Sequence, residues 1–282
     1  MKGQWGIAAT LAVFATCGPC DALEEARFRT GATEGVRHYT YLSTESAPGR
    51  PDRSYRVDFD LSTGTDGSVT AVLVKAQSAV GDTWSAPVVD KACTEALHGR
   101  GRVAARVTLA PLSPEAAKLG EEFMAMCAPA AYFFPITDIL NVSLIQTAPR
   151  FHLADLKAVG ASTRFDGFDT KFERLGIAIA ASSPGGEIKL DDLTPKSLVV
   201  DWTPDPMAIE IVNHKTDTTP EVTLKGVERY AFRVEIDPAS GALKHAATIA
   251  DDLDLVVSIP GVPSDKVPRM AISRKVSIET RN

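Results

Sequence analysis

The sequence has few cysteines, and its four cysteines fall into two separate pairs. Cys17 and Cys20 form a Cys-Gly-Pro-Cys motif near the N-terminus, whereas Cys93 and Cys127 lie far along the chain. A redox-active Cys-x-x-Cys motif follows a strand and opens a helix. This one instead follows an uncharged, mostly apolar stretch, residues 6–16. The context therefore argues against a thiol–disulfide enzyme.

The N-terminal segment has the order of a secretory signal peptide. Lys2 precedes the apolar stretch, and small residues lead to a cleavage site after Ala22. The stretch is too short to cross a bilayer, which takes about 20 residues. We therefore predict a signal peptide over residues 1–22 and a periplasmic or secreted protein. The alternatives are a buried N-terminal helix and a lipid anchor on Cys17.

Removal of the leader would leave Cys93 and Cys127 as the remaining cysteines. In an oxidising compartment an even number of cysteines predicts a disulfide bond. Closing a loop of about 35 residues would stabilise the fold by roughly 3–4 kcal/mol. The alternative is a pair of buried free thiols.

The chain also lacks basic runs and long apolar runs. It has 30 Lys and Arg against 36 Asp and Glu, a formal net charge of −6. An acidic chain without a basic patch is a poor nucleic-acid binder. No segment beyond the leader approaches 18 uninterrupted apolar residues, so we predict that the protein is not an integral membrane protein. A hydrophobic content of 44% is ordinary for a globular domain.

Motifs for catalysis and cofactor binding are absent. The chain contains no Gly-x-Ser-x-Gly, Ser-x-x-Lys, P-loop or Gly-x-Gly-x-x-Gly sequence. None of its five histidines lies three to five residues from another, so no local zinc pair exists. The candidate bases are His98, in a basic glycine-rich loop, and His152, which lies three residues before Asp155. We assign no catalytic residue and no cofactor.

Two acidic segments are weak candidates for calcium binding. Residues 58–64 resemble the start of a calcium loop, but the glycine is displaced by one position, and Val69 stands where the bidentate glutamate belongs. The same aspartates fit the solvent face of a strand. Residues 251–254 contain three aspartates, and a solvated turn is the favoured interpretation. No metal site is predicted.

Most of the remaining sequence alternates apolar and polar residues with a period of two, which is typical of half-buried strands. Turn residues recur between these runs, and four prolines stand between rather than inside them. The clearest predicted strands are residues 36–42, 54–61, 69–75, 197–202, 207–212, 230–236, 242–249, 253–259 and 270–278.

One helix is well marked, and a second is less so. Ser113 and Pro114 supply an N-cap and a first helical residue, and the apolar spacing continues to Met126. A shorter helix is predicted over residues 152–159. These elements predict a mainly β fold, either an antiparallel sandwich or a strongly curved sheet with one or two covering helices. Residues 23–282 would form a single domain, or two subdomains that meet near residues 128–136.

Aromatic residues provide the remaining indication of a binding site. Trp84 and Trp202 stand next to turn signals, and residues 130–135 are rich in aromatics. Such residues at strand ends can rim a cavity, although ordinary core packing explains them equally.

Three functional hypotheses follow. The first is an exported, non-enzymatic protein that binds a lipid or other apolar or amphipathic ligand between sheet and helix. Periplasmic lipid carriers offer an analogy of fold alone. The second is a β-sandwich interaction or structural module of the cell envelope, with a protein partner. The third is a hydrolase whose active site assembles only in three dimensions.

Overall fold

The computed structural model describes residues 35–63, 69–87, 99–101, 107–109, 135, 138–139, 156–174, 177–215 and 220–281. Within these ranges thirteen strands form one antiparallel sheet. The strands are β1 (Gly35–Ser46), β2 (Arg53–Thr63), β3 (Val69–Val80), β4 (Thr83–Trp84), β5 (Gly99–Gly101), β6 (Val107–Leu109), β7 (Ser162–Arg174), β8 (Ile177–Thr194), β9 (Ser197–Pro204), β10 (Met207–Asn213), β11 (Val222–Asp237), β12 (Ala242–Ser258) and β13 (Arg269–Thr280). A 3-10 turn, Ser264–Lys266, lies between the last two strands.

The sheet consists of two antiparallel meanders joined along one pair of strands. One meander runs from β7 to β13 and the other from β1 to β6, and β1 pairs with β13 over eight residues from Tyr39–Thr280 to Ser46–Ser273. Strand β6 also approaches β7, so the sheet curves until its two edges come near each other. The first and last described strands are therefore neighbours at the centre of the sheet.

Strands β9 and β10 lie end to end between β8 and β11. Strand β9 pairs with the C-terminal half of each neighbour, and β10 pairs with the N-terminal half. The interruption falls at Pro204, Asp205 and Pro206. Proline lacks the N–H that a central ladder requires, so the break comes where the sequence demands one.

One face of the sheet, the inner face, holds the main core. On β1 the buried residues Tyr39 and Tyr41 alternate with residues that face outward, as the period of two requires. The centre of this core is Trp202, whose ring lies 5.2 Å from that of Tyr230 and 6.1 Å from that of Phe232. Ile139 and Leu156, from the connection between β6 and β7, pack into the same cluster.

A second, smaller apolar cluster lies at the other end of the inner face. Ile209, Leu253 and Leu255 are buried there, with partly buried apolar neighbours on β10, β11 and β13. Strands β11 and β12 approach closely at Gly226, where an added Cβ would stand 1.8 Å from the carbonyl oxygen of Asp254. Only glycine fits at this position.

The mainly β prediction is confirmed, as one large antiparallel sheet. Two packed sheets are not found in the described ranges, and no α-helix is delimited there, so the predicted sandwich and covering helices are not confirmed. The helix from Ser113 to Met126 lies outside the described residues. Of the predicted helix over residues 152–159, the described part is a bend and turn instead. The proposed subdomain boundary at residues 128–136 falls almost wholly outside the described ranges and stays a prediction.

One sequence interpretation is wrong in an informative way. Residues 251–254 were expected to form a solvated turn between two strands, but they lie inside a single continuous strand, β12. Asp251 is 3% exposed and points to the inner face, because it shares the parity of Leu253 and Leu255. The turn interpretation fails because these aspartates follow the same period of two as the apolar residues around them.

Candidate functional site

A band of charged side chains crosses the inner face between the two apolar clusters. It is contributed by Glu228 on β11, Asp251 on β12 and Arg274 on β13, and each has a buried or partly buried apolar residue two positions away on the same face, namely Tyr230, Leu253 and Val276. Glu45 of β1 stands opposite Arg274 in the register, and Asp138 reaches the band from the β6–β7 connection. We call these five residues the ionic belt.

Arg274 is the centre of the ionic belt. Its side chain is 2% exposed, and its Nη2 atom lies 2.7 Å from Asp251 Oδ2 and 3.2 Å from Glu228 Oε1. Its Nη1 atom lies 3.4 Å from Asp138 Oδ2, which also accepts a hydrogen bond of 2.8 Å from the Tyr41 hydroxyl. One guanidinium thus faces three buried carboxyl groups, and such a group is tolerated in a protein interior only when it is paired.

The carboxyl groups of the ionic belt hold protons more tightly than free carboxyl groups do. Burial raises the pKa of Glu228 to about 8 and that of Asp251 to about 6, although the Arg274 guanidinium partly opposes both shifts. Burial also raises the pKa of Asp138 and of Glu45, again against the lowering effect of Arg274. The belt has more carboxyl groups than one guanidinium can neutralise, so part of it stays protonated near neutral pH.

The ladder between β12 and β13 is interrupted beside the belt. Pairing stops after Ala247–Ser277 and resumes at Asp252–Ser273, which leaves four residues of β12 opposite three of β13. The Thr248 hydroxyl partly replaces the missing ladder, since it accepts a hydrogen bond of 2.9 Å from the Val276 N–H. The extra residue of β12 makes this a bulge, which separates the two strands locally.

An open groove of about 580 Å³ occupies this interruption. It spans β1, β12 and β13. Leu42, which is 40% exposed, stands on one side, and Ile249, which is 55% exposed, stands on the other. Polar residues, some exposed and some buried or half-buried, complete its walls, and Asp251 and Arg274 of the ionic belt are also among the lining residues. The other polar lining residues are Ser43, Thr44, Thr248, Asp252, Ser273, Lys275 and Ser277. The groove therefore opens on the outer face, and the ionic belt lies behind its floor, with the side chains of Asp251 and Arg274 0% and 2% exposed.

The groove combines the surfaces that an amphipathic ligand requires. Leu42 and Ile249 offer apolar contact, and Asp252 and Lys275 offer charge within the same groove. Pockets of several hundred Å³ with apolar walls and a few placed polar groups are the usual form of small-molecule sites. In the part of the chain that the structure describes, no group of three or more His, Cys, Asp or Glu is arranged to hold a metal ion.

The residues singled out from the sequence have different outcomes. Cys93, Cys127, His98 and His152 lie outside the described residues, so the disulfide and the two candidate bases stay predictions. Trp202 is a fully buried core residue, whereas Trp84 is 47% exposed on β4. The structure thus assigns Trp202 to core packing and not to the rim of a cavity.

The first acidic candidate lies on β2 and is engaged by neighbouring side chains. Asp58 accepts a hydrogen bond from Thr40 and pairs with Arg281 at 3.1 Å. Asp60 lies 2.6 Å from His38 Nδ1. Both aspartates thus lie on a strand, as the second interpretation has it, but Asp58 is 8% exposed and does not stand on a solvent face.

Sequence reasoning missed the ionic belt, although the sequence contains a signal for it. Arg274 shares the parity of Ile272, Val276 and Ile278, and so stands where an apolar residue is expected. Glu228 and Asp251 likewise stand at positions of their own strands where the alternation calls for an apolar residue. A charge on the apolar face of one strand is a weak signal, but three on neighbouring strands indicate a buried ionic cluster.

Comparisons with known proteins supply no identity. No family model matches the chain, and no curated protein matches it. A structure titled "Lipid-protein interactions in lipovitellin" aligns over 88% of this chain and 25% of that chain, with 12% identity and a TM-score of 0.43. The chain thus spans about a quarter of the length of that protein.

Two further structures also align over 88% of the chain, with lower scores. OmpF of Salmonella typhi in complex with daunomycin has 7% identity and a TM-score of 0.21 over 98% of its length. OmpT of Vibrio cholerae has 8% identity and a TM-score of 0.19 over 100% of its length. All three scores are below 0.5, so none of these likenesses carries an argument about fold or function. No helix in the described part of the chain is long and apolar enough to cross a membrane.

Proposed function

We propose that this protein is an exported, non-catalytic binding protein that holds an amphipathic small molecule in the groove between β12 and β13. The observation that carries the proposal is the gap in the ladder, which opens about 580 Å³ between two exposed aliphatic side chains. The signal-peptide pattern of residues 1–22 supports export. A lipid or another amphiphile is the class of ligand that these surfaces favour.

The proposed site differs in place from the one expected from the sequence. The sequence predicts a ligand between sheet and helix, and the face of the sheet that holds the main core is the inner face. There the described side chains pack against one another, with Tyr41, Phe59 and Trp202 all at 0% exposure. The groove lies on the outer face instead, and Leu42 and Ile249 remain accessible there. Apolar contact for a ligand is therefore available where the ladder is broken rather than within the main core.

A titration with a neutral amphiphile tests the proposal. Dodecyl maltoside, kept below its critical micelle concentration, is titrated into the protein by calorimetry. Ile249→Ser removes an apolar wall, and we expect about tenfold weaker binding, the effect of losing about 1.5 kcal/mol of apolar burial. Ile249 is exposed, so folding should be unaffected.

The matched control is Val256→Ser. Val256 lies on the same strand and is 41% exposed, but it does not line the groove. We expect this variant to bind as the wild type does. Absence of binding by the wild type, or equal losses in the two variants, would contradict the proposed site.

A further inference from the structure

The groove and the ionic belt share two residues, and this connects ligand binding to protonation. Asp251 and Arg274 line the groove and also form the closest ion pair of the belt, at 2.7 Å. Glu228 lies directly behind them, 3.2 Å from Arg274 Nη2. The side chains of Asp251 and Arg274 are 0% and 2% exposed and point to the inner face, so a change in the charge of these carboxyl groups acts on a ligand in the groove across the sheet, over about 10 Å.

The charged groups around the groove carry an excess of negative charge when all are ionised. The belt has four carboxyl groups and one guanidinium, and Arg53 faces Glu45 from β2. The groove walls add Asp252 and Lys275, which cancel each other. The charged and titratable groups by element are Tyr41 and Glu45 on β1, Arg53 and Tyr55 on β2, Glu228 and Arg229 on β11, Asp251 and Asp252 on β12, Arg274 and Lys275 on β13, and Asp138.

This uncompensated charge lies where solvent screens it poorly. Glu228 and Asp251 are 5% and 3% exposed. Buried charges act over longer distances than exposed ones, because the effective dielectric constant around them is about 20 or less rather than about 80. A cationic group in the groove would balance the charge, and an anionic group would add to it.

We propose, on the basis of the function proposed above, that the groove binds an amphiphile with a cationic headgroup and that protonation of Glu228 and Asp251 releases it. When both carboxyl groups are ionised, the cation is attracted to the floor of the groove. When both are protonated, the remaining charges of the belt and of the groove walls cancel, and the attraction for the cation is lost. The apolar contacts with Leu42 and Ile249 are the same in both states.

The pKa values of Glu228 and Asp251 place this release within a pH range that experiments can reach. Burial raises the pKa of Glu228 to about 8 and that of Asp251 to about 6. The two carboxyl groups therefore gain their protons between about pH 9 and about pH 5. By linkage, a bound cation must expel protons from the same groups.

Two amphiphiles with the same chain test this inference. Dodecyltrimethylammonium and dodecyl maltoside, both below their critical micelle concentrations, are titrated into the full-length protein from about pH 9 to about pH 5. We expect the affinity for the cationic probe to fall about tenfold on acidification, the effect of a unit charge about 10 Å away at a dielectric constant of about 20. The neutral probe should change by less than about twofold, since it carries no charge.

The variant Glu228→Gln removes one of the two protonation steps without changing side-chain shape. It should bind the cationic probe more weakly at high pH and show a flatter pH profile, while it binds the neutral probe like the wild type. Glu210→Gln is the control, because Glu210 is an exposed carboxylate that pairs with Lys225 outside the belt. Calorimetry of the wild type in buffers with different ionisation enthalpies adds a readout that needs no variant: the cationic probe should release protons near pH 7, and the neutral probe should not.

The outcomes separate this inference from the function on which it rests. If the neutral probe binds but both probes show the same pH profile and release no protons, the proton-controlled preference for cations is wrong and the groove stands. If Glu228→Gln binds the cationic probe with the wild-type profile, the inference is equally wrong. If neither probe binds at any pH, the proposed function is wrong, and the inference falls with it.

Discussion

The inner faces of β11, β12 and β13 contain two regions. Both have the same alternation of inward and outward side chains, but their inward side chains have opposite chemistry. Toward one end the inward positions are aromatic and aliphatic, as in Tyr230, Phe232 and Val276. One step further along each strand the inward position is charged, at Glu228, Asp251 and Arg274. The aromatic region is stabilised by burial alone, which does not depend on pH. The ionic belt depends on pairing and protonation, and it adjoins the interruption between β12 and β13 at which the groove opens.

This difference shows which region is suited to function. Buried ionic groups stabilise a fold poorly compared with apolar groups of similar volume, because the desolvation of each charge offsets the attraction between them. The carboxyl groups beside Arg274 therefore add less to stability than the aromatic cluster around Trp202, although both are equally buried. A charged cluster beside an open groove agrees with a binding role, and perturbed carboxyl groups are common at such sites.

The largest expected effect comes from the aromatic region. Trp202→Ala removes a side chain that is 0% exposed and packs against Tyr230 and Phe232. We expect the free energy of unfolding to fall by about 3–5 kcal/mol, measured by urea denaturation at any pH at which the wild type is folded. Trp84→Ala is the control, since Trp84 is 47% exposed, and it should cost less than about 1 kcal/mol. Equal losses would show that the inner-face core does not stabilise the fold as described.

The second effect concerns the centre of the ionic belt. Arg274→Met leaves Asp138, Glu228 and Asp251 without their shared partner, and we expect a loss of about 3 kcal/mol near pH 8. The loss should shrink toward about pH 5, because protonated carboxyl groups no longer need a cation. Unfolding curves of both proteins at the two pH values measure the difference. A loss that is the same at both would contradict the ionic role of Arg274.

A smaller effect with a definite sign is expected from Glu228→Gln. The fold raises the pKa of Glu228 from its ordinary value of 4.5 to about 8, so the folded state binds a proton that the unfolded state has lost. The stabilisation linked to this proton is complete below about pH 4.5 and is lost as the pH rises through about 8. The glutamine variant avoids that loss, so its stability relative to the wild type should rise as the pH increases from about 5 to about 9. If Glu210→Gln shows the same gain, the gain does not come from the belt.

The sequence predicts the strands well where their alternation is simple. Residues 54–61 and 230–236 are predicted strands that fall inside β2 and β11, because one apolar face and one charged face leave little choice of structure. The break between β9 and β10 follows from Pro204 and Pro206. Local sequence suffices for these features because their causes are local.

The candidate site was not predicted because its causes are not local. The groove depends on the alignment of β12 with β13 and of β13 with β1, and β1 and β13 lie at opposite ends of the chain. The aspartates at residues 251–254 look like a turn until Arg274 is placed beside Asp251. In the sequence, the belt is indicated only by three charged residues at positions where the alternation of their strands calls for an apolar residue. These residues indicate a cluster only once the order of the strands is known.

Photo-crosslinking tests most directly whether the groove is the ligand site. A dodecyl amphiphile that carries a diazirine on its chain is irradiated with the protein, and the labelled peptides are mapped by mass spectrometry, with and without excess dodecyl maltoside. The account predicts labelling concentrated at residues 248–251 and 273–277, the two sides of the β12–β13 gap, and lost on competition. Competable labelling elsewhere in the chain, with none at these two segments, would contradict it.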